Sequence, residues 1–239
     1  MFALLLHIYY KESWDTYLNE VLSKIKYLDF DLYINLPVSQ THNYELVKKI
    51  KVEYPSAIII ESPNIGKDIG GKLALLNHFF VLKSNKELIV FLHDKKSPQS
   101  ATGERWRKTL YKIVDNKYIP EILNLLKNKK TGIVGAKECI INEKDSRTKL
   151  FKSNNSSYLD LLLAKYSIVP NDFYFIGGTM FWIKREAIEP FFLKYSAIEC
   201  RSELEKGNVS DDLMGSKTHA WERLICWINS SRGYSLKGI

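Results

Sequence analysis

The chain has 239 residues, 45% of them hydrophobic and 13% aromatic, with 35 basic and 27 acidic residues and a formal charge of +8. This length and apolar content suit one large α/β domain and exclude a disordered chain, which would be poor in aromatic and β-branched residues. No stretch approaches the roughly 20 apolar residues of a membrane span; Cys139, Cys200 and Cys226 are too dispersed for a disulfide framework or a zinc site and read as reduced thiols of a cytoplasmic protein.

The predicted elements alternate from the start. Phe2–Ile8 is an apolar run without a positive leader, so it reads as a first strand rather than a signal peptide. Trp14, Tyr17, Leu18, Val21, Leu22 and Ile25 then fall at helical spacing. Phe30–Leu36 is the second strand, and Leu46, Val47 and Ile50 mark the second helix. Ala57–Ile60 is a third strand, and the stripe Ile69, Leu73, Leu76 and Phe80 a third helix. Leu88–Leu92 is a fourth strand, followed by a helix carrying Trp106, Leu110 and Ile113, a short helix after Pro120 and a strand at Thr131–Ala136. The polar stretch 142–157 is long enough for a surface loop or a lid. A helix at Tyr158–Tyr166, one apolar strand at Phe173–Ile183 and a helix carrying Ile188, Phe191, Phe192 and Tyr195 follow, before a final helix from Thr218. Near-continuous apolar strands separated by helices predict an α/β fold, a mostly parallel sheet with helices on both faces.

In such sheets ligands bind beyond the carboxyl ends of the strands, and there the chain places unusual chemistry. The fourth strand runs straight into His93, Asp94, Lys95, Lys96 and Ser97. Lysine is a compact charge able to neutralise a diphosphate. No cofactor is expected; a Mg²⁺ or Mn²⁺ ion, were one used, would be held through Asp94, yet one carboxylate and one imidazole make a poor shell for it. The third strand leads into Asn64, Gly66, Asp68, Gly70 and Gly71, a spacing that is neither a dinucleotide fingerprint nor a Walker A loop. Asp68 reads as a helix cap or as a ligand contact. Asp211 and Asp212, adjacent in a polar loop, read as solvated.

The final helix has two faces: Trp221, Leu224, Ile225 and Ile228 form an apolar stripe, and His219, Glu222, Arg223 and Cys226 another face. Glu222 reads there as a general base held between His and Arg, or as a surface ion pair. The positive charge favours anionic partners. The lysines are scattered rather than set in a stripe with aromatics, so no nucleic-acid partner is expected.

Taken together, HIYY at His7–Tyr10, PNIGKDIGG at Pro63–Gly71, FLHDKKS at Phe91–Ser97, GGTMFWIKREAI at Gly177–Ile188 and HAWERL at His219–Leu224 resemble the rhamnan synthesis protein F family over nearly the whole chain. The arrangement is similar to a GT-A glycosyltransferase without its Asp-x-Asp motif. The resemblance implies a single GT-A-like (Rossmann-like) domain over 1–239, with a nucleotide-sugar half at 1–97 and an acceptor and catalytic half at 98–239. It implies donor contacts from Tyr9, Asn64, Gly66, Asp68, His93, Lys95 and Lys96. Gly177, Gly178 and Thr179 would leave room for sugar and acceptor beside Arg223, and Glu222 with His219 would be catalytic. The partners implied are a dTDP-, UDP- or GDP-sugar donor and a lipid-linked glycan acceptor, met in the cytoplasm or at the inner face of the plasma membrane through peripheral association. The competing expectation is a non-catalytic sugar-nucleotide or glycan-binding subunit of a polysaccharide assembly complex.

Overall fold

The computed structural model describes residues 1–38, 43–95, 101–210 and 214–239. Its strands are β1 (Phe2–His7), β2 (Phe30–Pro37), β3 (Ile58–Ser62), β4 (Leu88–His93), β5 (Thr131–Gly135), β6 (Ile140–Asn142), β7 (Tyr174–Ile176), β8 (Phe181–Lys184) and β9 (Ser235–Gly238). Its helices are α1 (Asn19–Ile25, entered through a π-helical turn at Trp14–Leu18), α2 (Tyr44–Glu53), α3 (Lys67–Val81), α4 (Ala101–Leu110), α5 (Ile119–Lys127), α6 (Ser156–Tyr166), α7 (Arg185–Lys194), α8 (Ala197–Ser202) and α9 (Lys217–Ser231). The main sheet has the order β3-β2-β1-β4-β8-β5-β9, and β6 pairs with β7 in a small second sheet.

The sheet is mostly parallel, as the alternation of elements requires, and β8 alone runs antiparallel, between β4 and β5. All six residues of β1 are buried, because parallel neighbours flank it and helices cover both faces. Burying each of its Phe and Leu side chains contributes about 1.5–3 kcal/mol. The register sets His7 opposite Asn35 on β2 and His93 on β4, so the polar end of each strand arrives at the same edge of the sheet.

Three expectations change. Phe173–Ile183 is two strands in two sheets, since Gly177, Gly178 and Thr179 turn the chain between β7 and β8. The stretch 142–157 is pinned rather than lid-like: Lys144 bridges Phe151, and the buried Glu143 accepts from Ser153 N at 2.9 Å and from Arg223 Nε at 3.1 Å. The second face of α9 is not a solvent surface, because Arg223 and Cys226 are buried along with Trp221, Leu224, Ile225 and Ile228. No helix among the described residues is long and apolar enough to cross a membrane.

Candidate functional site

A cleft of about 350 Å³ opens at the carboxyl ends of β1 and β4, lined by His7, Tyr9, Asp68, His93, Asp94 and Lys95, with Lys67, Tyr10 and Asn208 to Ser210 around it. A larger groove of about 580 Å³, with Leu88, Leu123 and Leu126 in its lining, lies at the opposite end of β4, away from this chemistry.

The floor of the cleft is an ionic cluster built on α3. Gly66, in the left-handed region at φ +71°, turns the chain from β3 into the helix, so that Asp68 in its first turn and Lys72 one turn later face the strand ends. Lys72 is 1% exposed. Its Nζ lies 2.9 Å from Asp68 Oδ2, 2.8 Å from His93 Nδ1, 3.0 Å from Thr179 O and 2.8 Å from Thr179 Oγ1. Thr179 Oγ1 in turn donates to Asp68 Oδ2 at 3.0 Å. Burial alone would raise the Asp68 carboxyl, but the neighbouring Lys72 charge holds it well below its usual range. Burial, and then the Lys72 charge, push His93 well below its ordinary value, so its imidazole is neutral. Burial likewise lowers His7 to about 4; its Nδ1 lies 2.9 Å from Asn35 Oδ1.

Asp94 does different work. Its Oδ1 accepts from Tyr9 N at 2.9 Å, and its Oδ2 from Tyr10 N at 2.6 Å and Ser13 Oγ at 3.2 Å, tying the loop after β1 to the end of β4. With both oxygens already engaged by the chain itself, Asp94 is a poor first ligand for a divalent ion, and Asp68 is committed to Lys72. No group of three or more His, Cys, Asp or Glu among the described residues could hold a metal. Among the described residues the cleft thus offers a divalent ion few free carboxylate oxygens, and any Mg²⁺ or Mn²⁺ there would keep several waters and lean on substrate phosphates. Lys95 lines the cleft while its backbone N–H donates to Tyr17 Oη at 2.8 Å. Lys96, Ser97, Asp211 and Asp212 lie outside the described residues.

Glu222 lies on α9, with its side chain 18% exposed. Its Oε1 accepts from Gly178 N at 2.6 Å and its Oε2 from Arg223 Nη1 at 2.6 Å. Burial raises its carboxyl above the ordinary value, opposed by the Arg223 charge. Arg223 is shared, reaching Glu143 as well as Glu222 and the His219 carbonyl. Gly178 thus links two groups, since the next residue, Thr179, contacts Lys72. His219 Nδ1 lies 2.6 Å from Ser216 Oγ, which caps α9 by accepting from His219 N at 3.1 Å; this places His219 in the cap of the helix.

Several of the expected site residues also pack internally. A Cβ on Gly66 would lie 2.3 Å from Leu204 Cδ1, so its missing side chain admits the chain's own 204–205 segment. A Cβ on Gly178, at φ +84°, would lie 2.8 Å from Leu110 Cδ2, and one on Gly177 would lie 3.1 Å from Ile141 Cδ1, so the space of each missing side chain is taken by the chain's own packing. Thr179 is 1% exposed and turns its oxygens to Lys72, and Arg223 is also buried, at 7%. Asn64 Nδ2 donates to Asn208 Oδ1 at 3.1 Å, and Asn208 Nδ2 donates to Tyr9 Oη at 2.9 Å, so a strap around 205–209 joins the Asn64 and Tyr9 corners. Tyr9, Asp68, His93 and Lys95 do meet in one cleft, with Asn64 tied to its rim through Asn208.

Sequence reasoning missed Lys72 and Asn208. The signal for Lys72 was present: a lysine four residues after Asp68, set among Gly71, Leu73 and Ala74 on the inward side of a helix. Asn208 sits in a segment without periodicity, and only the tertiary fold brings it to Tyr9.

Over 227 residues the chain is 26% identical to the uncharacterized protein WxcX of Xanthomonas campestris pv. campestris; the match covers 93% of this chain and 30% of WxcX, so the chain spans under a third of that curated relative. Among solved structures it is similar to the mannosyltransferase PcManGT of Pyrobaculum calidifontis, in complex with GDP-Man and Mn²⁺, at 16% identity and a TM-score of 0.46, covering 100% of this chain and 54% of that one. It is also similar to TarS of S. aureus in complex with UDP, at 11% identity and a TM-score of 0.41 over 84% of this chain and 53% of the other. A model of the rhamnan synthesis protein F family matches residues 1–234, and the chain belongs to that family.

Proposed function

We propose that the chain is a glycosyltransferase of GT-A-like fold that moves a sugar from a nucleotide-diphosphate donor to a growing bacterial surface polysaccharide. The observation that carries this reading is the meeting, at one strand-end cleft, of cationic and N–H-donating groups with a carboxylate of raised basicity held a short way behind them. Lys95 and the neutral His93 face the cleft, Lys72 and Asp68 form its floor, and Glu222 is tied to the Gly178–Thr179 turn that closes that floor.

In this reading the reaction is an inverting displacement. Glu222 removes the proton from the acceptor hydroxyl; the freed oxygen forms a bond to the anomeric carbon as the bond from that carbon to the diphosphate oxygen breaks. The electron pair leaves with the diphosphate, where Lys95 and an N–H of His93 meet the developing charge. The proton on Glu222 passes to solvent through its exposed edge. A deoxyhexose such as rhamnose, carried by dTDP, and a lipid-linked glycan acceptor are the finer parts of the proposal, supported by the family. The chemistry would take place in the cytoplasm, at the membrane face where a lipid-linked acceptor is presented.

A panel of nucleotide sugars screened by thermal shift tests the reading, followed by transfer to a lipid-linked oligosaccharide. A donor present at 100 times its Kd should stabilise the fold by about 2.7 kcal/mol. Stabilisation by one donor without release of nucleoside diphosphate in the presence of acceptor would replace the enzyme with a sugar-nucleotide-binding subunit.

A further inference from the structure

The reaction above has no direct use for the Lys72–Asp68 pair of the cleft floor, and within it Lys72 is closely partnered. Four atoms surround its Nζ within 3.0 Å. Two of these, the Asp68 carboxylate oxygen and the Thr179 carbonyl oxygen, can only accept. The third, Thr179 Oγ1, has its hydrogen directed to Asp68, so it too accepts from Lys72. A shell of acceptors suits an ammonium, which has only N–H groups to give. The ammonium has three hydrogens for these four neighbours, so the two Thr179 oxygens share one. At 2.8 Å a single hydrogen lies between Lys72 Nζ and His93 Nδ1, and as an ammonium has no lone pair, Nδ1 is the acceptor and the ring proton sits on Nε2.

We infer that Lys72 is a positioning residue that fixes His93 as the Nε2–H tautomer, so that a neutral imidazole offers an N–H donor to a diphosphate in the cleft. The diphosphate in this statement rests on the function proposed above; the tautomer does not. Without Lys72 the ring would have a different best partner, because Asp68 Oδ2 lies only 3.4 Å from the same Nδ1. The ring would move its proton to Nδ1, or take up a second one, to face that carboxylate. The other charged or titratable groups acting on this ring are Lys95 on its own strand end and His7 on β1, and Glu222 acts on Lys72 from α9. None of these is within hydrogen-bonding distance of His93 Nδ1 among the described contacts.

The test is long-range ¹H–¹⁵N NMR on histidine-labelled protein at neutral pH, with the His93 resonances assigned through His93→Gln. The wild type should show the Nε2–H form, its protonation displaced below the ordinary histidine range. In Lys72→Met the ring should switch to Nδ1–H or to the imidazolium, and Lys72→Arg, which keeps a donor, should largely restore the wild-type pattern. If Lys72→Met does not fold, the paired change Asp68→Asn with Lys72→Met removes both charges, and there the fixed tautomer should be lost. An Nδ1–H or doubly protonated His93 in the wild type overturns the inference, as does a ring indifferent to Lys72→Met. Inorganic pyrophosphate and nucleoside diphosphates provide a separate arm. Their addition should move the His93 Nε2 resonance in the wild type and not in Lys72→Met. An Nε2–H ring that responds to none of them would leave the role of Lys72 standing and remove the diphosphate-donor reading.

Discussion

Replacing Glu222 by glutamine is the sharpest test of the chemistry, because the structure sets the size of both outcomes. Glutamine keeps an oxygen to accept from Gly178 N but turns an amide toward Arg223 Nη1, which now sits 2.6 Å from Glu222 Oε2. The lost charge-assisted bond costs about 1.5–3 kcal/mol. Arg223 is not left alone, since Glu143 still receives its Nε at 3.1 Å, so the cost should stay at that level and the fold should survive. If Glu222 is the base, kcat falls by about 10²–10⁴, which at 1.36 kcal/mol per tenfold is roughly 2.7–5.4 kcal/mol on the barrier. Donor affinity should hold, because the cleft contacts lie on β1, β4 and α3. The wild-type pH profile adds a second reading. A base must be deprotonated, and burial raises this carboxyl, so kcat/KM should decline on acidification at a pH above the ordinary glutamate value of about 4.3. Turnover within threefold of wild type in a folded Glu222→Gln variant refutes the role, and suspicion then moves to the neighbouring His219.

Donor binding is expected to survive EDTA, because Asp94 is engaged by Tyr9, Tyr10 and Ser13; activity abolished by chelation and restored by Mn²⁺ would make Asp94 a ligand after all. Gly178→Ala should lower stability by roughly 1–3 kcal/mol in urea titration, since its Cβ would meet Leu110 at 2.8 Å in a left-handed backbone; an unchanged midpoint would show that the turn yields. Arg223→Met should cost about 3–5 kcal/mol, because it leaves the buried Glu143 and the mostly buried Glu222 without their shared cation; a cost under 1 kcal/mol would mean that neither carboxylate depends on it.

Much of the fold was legible because it depends on short-range pattern. Apolar runs such as Phe2–Leu6 and Leu88–Leu92 can be satisfied only inside a covered sheet, and β1 and β4 lie where those runs required. The antiparallel β8 was not legible, because an apolar strand looks the same whichever way it runs, and the Gly177–Gly178 break could as well have been a bulge. In the site, Tyr9, Asp68, His93 and Lys95 followed from one rule, that polar residues just past buried strands share an edge. What the sequence did not disclose was the packing role of the glycines. Gly66, Gly177 and Gly178 are small because Leu204, Ile141 and Leu110 press against them, and packing partners so distant in sequence leave no local mark. Lys72 went unread for the opposite reason: within a helix, lysine normally marks the solvent face, and only its spacing from Asp68 hinted otherwise.

The backbone around the cleft supports treating Lys72 and Asp68 as machinery rather than ordinary core. Two non-glycine residues there adopt the left-handed region, Lys67 at φ +51° and Thr179 at φ +47°, a state that costs non-glycine residues of order 1–3 kcal/mol. Each sits beside the cluster. Lys67 opens α3 immediately before Asp68, and its Nζ donates to Val209 O at 3.1 Å, holding the 205–209 strap at the rim. In that conformation Thr179 turns both its carbonyl and its hydroxyl oxygen onto Lys72. A hydrophobic residue of similar size at position 72 would need neither strained turn nor a buried carboxylate. The fold therefore maintains a charged pair at some expense to itself, at the one edge of the sheet where β1 and β4 deliver two histidines. The pair is internally neutral, so the remaining charges lining the cleft are Lys67, Asp94 and Lys95, which together leave one positive charge there beside the neutral His93. At about 4 Å and an effective dielectric near 20, one such lysine interacts with a phosphate charge by about 4 kcal/mol. That is the scale of the contribution Lys95 would make toward the diphosphate of the donor proposed above.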